Sequence, residues 1–284
     1  MSESCHSCSA AGSCTTESCS NEPQKTKAQQ ASHVDKVIAV MSGKGGVGKS
    51  SVTGMLAVSL KRQGYKVGVL DADITGPSIP KIFGVTGKAG ASEGGIIAPT
   101  SRDGIKVMSL NLMIENEDDP VILRGPLISQ LVNQFWTDVI WGDLDYLLID
   151  MPPGTGDVPI TVFQSLPING VVMVTSPQSL ANMVVRKAIK MVRNYKPPIY
   201  GLIENMAYVQ CPDCNKRTEV FGKPKGKEEA ERTSIPYLGE LPLDPELAIL
   251  SDAGRIEDYQ SQGFDQIAKH LAEQIKTNSD KNLA

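Results

Sequence analysis

Gly43-Lys44-Gly45-Gly46-Val47-Gly48-Lys49-Ser50 fits the pattern G-x-x-x-x-G-K-[ST], which belongs to loops that cradle phosphates. The glycines let the backbone curl so that successive N–H groups face phosphate oxygens. A helix starting within the motif adds the partial positive charge of its N-terminus. Lys49 would neutralise the β- and γ-phosphates of ATP, and the Ser50 hydroxyl would bind Mg²⁺. The expected nucleotide-binding stretch is therefore Gly43, Lys44, Gly45, Gly46, Val47, Gly48, Lys49, Ser50 and Ser51. Lys44 has two readings. It is a solvated side chain, or a second cation that swings onto a phosphate across a dimer interface, as an arginine finger does.

Carboxylates fall where such a loop needs them. Asp71 and Asp73 follow the apolar run that ends at Leu70, and Asp150 follows Tyr146-Leu147-Leu148-Ile149. A carboxylate at a strand tip beside the loop is placed to hold the Mg²⁺ shell, a role expected of Asp150. Asp73 is expected to orient the attacking water, with Asp71 supporting the loop. Gly154, Thr155 and Gly156 give the segment after Asp150 freedom to respond to a γ-phosphate.

The thiols lie in two groups. Cys211-Pro-Asp-Cys214 is a C-x-x-C knuckle, whereas Cys5, Cys8, Cys14 and Cys19 fall within the first nineteen residues. Two thiolates three positions apart grip one edge of a metal site, but zinc and cubane clusters take four ligands. A two-fold dimer would supply the other half. By thiol chemistry alone, zinc and an iron–sulfur cluster stay open at Cys211 and Cys214. A redox disulfide is disfavoured, because the pair lacks a strand–helix setting that lowers a thiol pKa. The four N-terminal thiols would be enough for one further site.

Positioning these groups requires strands that end at them. Val37–Met41, Lys66–Leu70, Lys106–Leu110, Tyr146–Ile149, Asn169–Thr175 and Ile199–Ile203 read as strands, with a short one near Tyr237. Helical spacing runs over Lys49–Arg62, from Pro126 to about Ile140, over Leu180–Val192 and over Phe264–Ile275. Residues 84–104, rich in Gly and Ser, read as loops or a small hairpin, and Glu115–Asp119 as an acidic loop. Strands alternating with helices, each strand a continuous apolar run, predict a doubly wound, mostly parallel α/β sheet. Residues 1–33 lack aliphatic periodicity and read as a flexible Cys-rich tail. Residues 34–284 read as one P-loop domain with the C-x-x-C loop at 211–214.

Composition narrows the function classes. In 284 residues, 40% are hydrophobic and 21% charged, enough to build a core. The formal charge of −4 argues against a broad basic footprint for nucleic acid or an anionic membrane. Aromatics at 5% argue against base-stacking platforms. The N-terminus has no apolar signal core, and the sequence contains no apolar run of about 20 residues. These features predict a cytoplasmic protein with reduced thiols, binding neither nucleic acid nor membrane.

GKGGVGKS with its extra Lys44 resembles the deviant Walker A proteins, the group of MinD, ParA and the nitrogenase iron protein. DADITGPSIP (71–80), DMPPGTGD (150–157) and IENMAYVQCPDC (203–214), in that order, resemble one branch: the Mrp/ApbC/Nbp-type iron–sulfur cluster carrier ATPases. The resemblance spans about residues 36–260. It implies a homodimer in which Lys44 reaches the partner's nucleotide, Asp73 assists hydrolysis, Asp150 senses Mg²⁺ and Asn205 contacts adenine. It also implies a [4Fe–4S] cluster on Cys211 and Cys214, bridging the dimer. Scaffold or donor proteins would supply the cluster, and apo iron–sulfur proteins would accept it. Cys5, Cys8 and Cys14 resemble part of the N-terminal cluster motif of the longer members. Those carry a further cysteine upstream, so Cys19 or His6 would have to complete a second cluster here. A positioning ATPase of MinD/ParA type with a zinc knuckle is the alternative. The nitrogenase iron protein, an electron donor, is disfavoured by the tight C-x-x-C spacing.

Overall fold

The structure, a computed structural model, describes residues 25–73, 76–114 and 125–281. The chain enters through a short helix, α1 (Lys27–Gln30), and runs into the central strand β1 (His33–Ser42). The phosphate loop then leads into α2 (Lys49–Arg62), β2 (Val67–Asp71) and a one-turn helix, α3 (Ile79–Ile82). Residues 84–104 contain the hairpin β3 (Gly90–Ser92) and β4 (Gly95–Ile97). β5 (Lys106–Met108), α4 (Gly125–Thr137) and β6 (Val139–Ile140) follow, with β6 adding a third, parallel strand to the hairpin. Next come β7 (Asp143–Asp150), α5 (Asp157–Ser165), β8 (Gly170–Thr175), α6 (Ser179–Tyr195) and β9 (Ile199–Glu204). A two-strand hairpin, β10 (Val209–Gln210) and β11 (Arg217–Thr218), interrupts the alternation. The chain closes with α7 (Gly226–Thr233), β12 (Tyr237–Glu240), α8 (Pro245–Asp252) and α9 (Gln262–Lys281).

The main sheet has seven strands in the order β12-β9-β8-β1-β7-β2-β5, all parallel. β1 is buried from Val37 onward and apolar through Met41, as a strand covered on both faces must be. One core layer packs α2 and α9 against the sheet through Val52, Met55, Leu56, Leu60, Leu271 and Ile275. The opposite layer holds Val132 and Phe135 of α4, Val162 of α5, and Ile189 and Val192 of α6. Each such fully buried aliphatic side chain contributes roughly 1.5–3 kcal/mol of transfer free energy. Register places the carboxylates: Asp71 pairs with Asp150, and Asp150 with Val40, in a single row across β2, β7 and β1. That row lies at the carboxyl ends of the strands, where open α/β sheets bind ligands.

Four expectations are corrected. The helix expected to reach Ile140 stops at Thr137, and β6 takes the residues beyond. The expected helices lack α7, which is mostly charged, and α8, which starts at Asp244-Pro245 and carries the short apolar run Leu247–Leu250. The last helix runs from Gln262 to Lys281, well past Phe264–Ile275. Finally, the segment from Lys25 to His33, read as part of the tail, packs on the domain. Ala28 is buried, Thr26 Oγ1 donates to the Thr137 carbonyl, and Ser32 Oγ accepts from Trp141 N–H. Glu115–Asp119 and the four N-terminal cysteines lie outside the described residues.

Candidate functional site

The loop between β1 and α2 has the backbone of a phosphate cradle. Gly46 and Gly48 adopt φ of +79° and +75°, the left-handed region that favours glycine. Gly43 also has no room for a side chain, since a Cβ there would lie 2.4 Å from the Val185 backbone nitrogen of α6. The loop lines a cavity of about 210 Å³, with walls formed by Lys44, Gly45, Lys49, Ser50, Asp73 and Pro153 among others. Of the residues expected at the nucleotide, Lys44, Gly45, Gly46, Gly48, Lys49, Ser50, Ser51 and Asp73 meet there.

Asp150 gathers the polar groups at the start of α2. Its side chain is fully buried, with Lys49 Nζ 2.6 Å from Oδ1. Ser50 Oγ donates to Oδ2 at 2.6 Å, and Thr53 Oγ1 donates to Oδ1 at 2.9 Å. The carboxylate therefore accepts from three side chains of one helix face, which meets the requirement that a buried charge be paired and hydrogen-bonded. Sequence reading missed Thr53. It lies three residues after Ser50 on α2, so helical geometry would have placed it on the same face. The oxygen set of Ser50 and Asp150 suits Mg²⁺, a hard cation that prefers oxygen ligands.

Asp71, next to Asp150 in the ladder, is buried too. Its carboxyl accepts from the backbone N–H groups of Asp73 (3.1 Å), Ser78 (2.9 Å) and Ile79 (3.0 Å). Burial, and then the neighbouring Asp150 charge, push its pKa up to about 8. Asp71 thus ties down both ends of the loop that carries Asp73.

Asn205, expected at the adenine, lies just beyond β9 and touches the phosphate loop. Its Nδ2 donates to the Val47 carbonyl at 2.9 Å, and its backbone N–H donates to Thr175 O. A Cβ on Gly48 would come within 2.3 Å of that Nδ2. Asn205 therefore buttresses the phosphate loop from behind. The preceding residue, Glu204, is fully buried and accepts from the N–H groups of Lys225 and Gly226 at the start of α7. Burial raises its pKa, and the two N–H groups oppose that rise. It falls within the stretch 203–214, but sequence reading assigned it no role of its own.

The second chemical group sits on the excursion between Asn205 and α7. β10 and β11 pair antiparallel, and Cys211 and Cys214 lie in the turn that joins them. The turn closes by Cys211 N–H to Lys216 O and Asn215 N–H to Cys211 O, with Asn215 at φ +57°. Cys211 is half-buried and Cys214 exposed, both as free thiols. The backbone N–H groups of Cys214 and Asp213, with the Cys214 side chain, hold the Cys211 pKa below its ordinary value. Hydrogen bonds of this kind support metal-bound sulfur. Among the described residues, no group of three or more His, Cys, Asp or Glu side chains is assembled for a metal. Cys211 and Cys214 thus stand as a pair of free thiols on one turn. Arg217 anchors the hairpin, stacking 4.0 Å above the Tyr208 ring and pairing with Glu240 at 2.9 Å.

A parallel sheet with a phosphate loop at its central strand, and carboxylates at neighbouring strand tips, defines a P-loop NTPase. The chain belongs to the family described as ParA: NUBPL iron-transfer P-loop NTPase, whose model matches residues 33–276. It is 45% identical over 271 residues to an iron-sulfur cluster carrier protein of Clostridium perfringens, covering 91% of this chain and 95% of that one. Among solved structures it resembles a nucleotide-binding protein of Archaeoglobus fulgidus in complex with ADP. That match has a TM-score of 0.73 and 47% identity, and covers 82% of this chain and 91% of the other. The cell division ATPase MinD of Pyrococcus furiosus shares the fold at 20% identity, with a TM-score of 0.62, over 86% of this chain and 99% of that one. Among the described residues, no helix is long and apolar enough to cross a membrane.

Proposed function

We propose that this chain is a cytoplasmic ATPase that carries a [4Fe–4S] cluster and delivers it to apo-proteins. The observation that carries this reading is that one chain joins a complete phosphate loop to a two-thiol half-site through the end of a single strand, β9. Two copies related by a two-fold axis would bring four thiolates to one cluster. The name of the Clostridium relative supports the cargo, and the ADP complex of the Archaeoglobus relative supports the nucleotide.

In hydrolysis, water attacks the γ-phosphorus and the bond to the ADP oxygen breaks. The N–H groups of residues 43–51 and the Lys49 charge would hold the phosphates, and Asp73 would orient the water. Ser50 and Asp150 would hold Mg²⁺, which neutralises developing phosphate charge. Lys44 lines the cavity and would reach the nucleotide of the second copy. Cluster transfer is ligand exchange. An acceptor thiolate bonds to iron as a Cys211 or Cys214 sulfur leaves, with no net change in electron count. Scaffold proteins load the cluster in the reverse sense. In this reading Cys5, Cys8, Cys14 and Cys19 hold an accessory cluster.

The deciding experiment is anaerobic reconstitution of the full-length protein, with iron, sulfide, zinc and molar mass measured together. The expected result is a dimer that loses its bridging iron and sulfide in Cys211→Ala and in Cys214→Ala. Uptake of zinc without sulfide would overturn the reading and favour the positioning ATPase with a zinc knuckle.

A further inference from the structure

Two consecutive residues at the end of β9 face opposite tasks. Asn205 holds the Val47 carbonyl of the phosphate loop. Glu204 holds the Lys225 and Gly226 N–H groups at 2.9 and 2.8 Å. Between Asn205 and Lys225, in the chain, lies the whole excursion that carries Cys211 and Cys214. It leaves the sheet at Asn205 and returns at α7, so its two roots are fixed by neighbouring side chains.

A second tie runs in parallel. The α6 backbone at Val184 and Val185 abuts Gly43 so closely that a Cβ could not fit. The next residue, Arg186, binds both carboxylate oxygens of Glu229 on α7 through Nη1, at 2.9 and 2.8 Å. α7 is therefore fastened to two elements, β9 and α6, that each adjoin the phosphate loop. Any shift of that loop has a packed, hydrogen-bonded route to the base of the cysteine hairpin. Contiguity of this kind makes coupling physically available, and only a coupling measurement establishes it.

We infer that Glu204 is a positioning residue for the Cys211–Cys214 site, and that the Glu204–Asn205 pair transmits nucleotide occupancy to the two thiols. The inference rests on the proposed function and deepens it by naming the element through which ATP would gate the cluster. The contact has two sides that can be altered separately. Glu204→Gln turns one acceptor oxygen into a donor facing an N–H, breaking one bond of the clamp without removing volume. Gly226→Ala leaves Glu204 intact, but its Cβ would lie 2.8 Å from Glu204 Cβ and so prise the clamp open.

The test reads thiol reactivity and needs no cluster. Cys211 and Cys214 in the reduced full-length chain are alkylated with N-ethylmaleimide, with and without ATP and Mg²⁺. Peptide mapping separates them from the N-terminal cysteines. The wild-type rate is expected to change by about fivefold or more on nucleotide binding, the lower end of typical coupling between sites. In Glu204→Gln and in Gly226→Ala that ratio should collapse towards one while nucleotide affinity stays within about twofold. Glu204→Asp, which keeps the charge on a shorter arm, should recover part of the ratio. Thermal melting reports folding of each variant, and either altered variant suffices if the other fails to fold. A wild-type ratio near one would overturn the inference, as would an undiminished ratio in a folded variant. Failure to take up iron and sulfide would instead count against the proposed function alone, since the alkylation ratio is read without cluster.

Discussion

Lys49 and Asp150 form an ion pair with almost no solvent contact. Removing one partner of such a pair leaves a buried charge uncompensated, at a typical cost of about 3–5 kcal/mol. Lys49→Ala is therefore expected to lower unfolding free energy as well as nucleotide binding. Urea titration would show the first and nucleotide titration the second. Adding Asp150→Asn to Lys49→Ala should recover part of the stability and none of the binding. Full additivity of the two losses would show that the pair does not act as a unit. Glu204 makes a pH prediction. Its folded pKa is raised above the ordinary value of 4.5, so the unfolded chain loses this proton first as pH rises. Its contribution to stability is fully present below about pH 4.5 and is lost as pH rises through the folded value. Glu204→Gln mimics the protonated form throughout. Subtracting the variant's pH–stability curve from the wild type's should give a difference that falls with pH from about 4.5 upward. A flat difference would contradict the raised pKa.

At the scale of elements, the phosphate loop, β9 and α6 work as a packed unit around glycines. Gly48 combines φ of +75° with an Asn205 amide where its Cβ would go. Gly48→Ala should cost roughly 1–2 kcal/mol from the left-handed backbone alone, and more from the displaced amide. Chemical denaturation and nucleotide titration should both register the loss. Unchanged affinity would show that Asn205 does not shape the loop. α9 shows how the fold uses an amphipathic helix. Phe264, Ile267, Ala268, Leu271, Ala272 and Ile275 recur at helical spacing and are all buried, and α9 packs beside α2. α7 is the contrasting case. Only Gly226 and Ala230 of its eight residues are buried, so its sequence carries no apolar stripe to read. It is held by Glu204 at its start and Arg186 on its flank, both distant in sequence.

For the whole molecule, the domain begins earlier than the hydrophobic pattern suggests. Truncation to residue 33 removes buried Ala28 and the bonds of Thr26 and Ser32, whereas truncation to residue 24 removes none of them. The more heavily truncated protein is expected to melt several degrees lower than the other, a loss on the order of 1–3 kcal/mol. Equal melting temperatures would mean that the α1 packing contributes nothing. The sequence by itself determined whatever depends on local spacing. The phosphate loop from Gly43 to Ser51 is written in consecutive residues, and Asp150 stands at the end of an apolar run that only a buried strand explains. The C-x-x-C pair likewise places two thiols within four positions, while zinc and an iron–sulfur cluster stay open to them by thiol chemistry alone. Tertiary structure alone decided which distant groups meet. It set Asn205 behind the phosphate loop, put Asp71 beside Asp150 through strand register, and closed the cysteine excursion on Glu204. Those placements depend on contacts between residues many positions apart, and one-dimensional patterning carries no record of them.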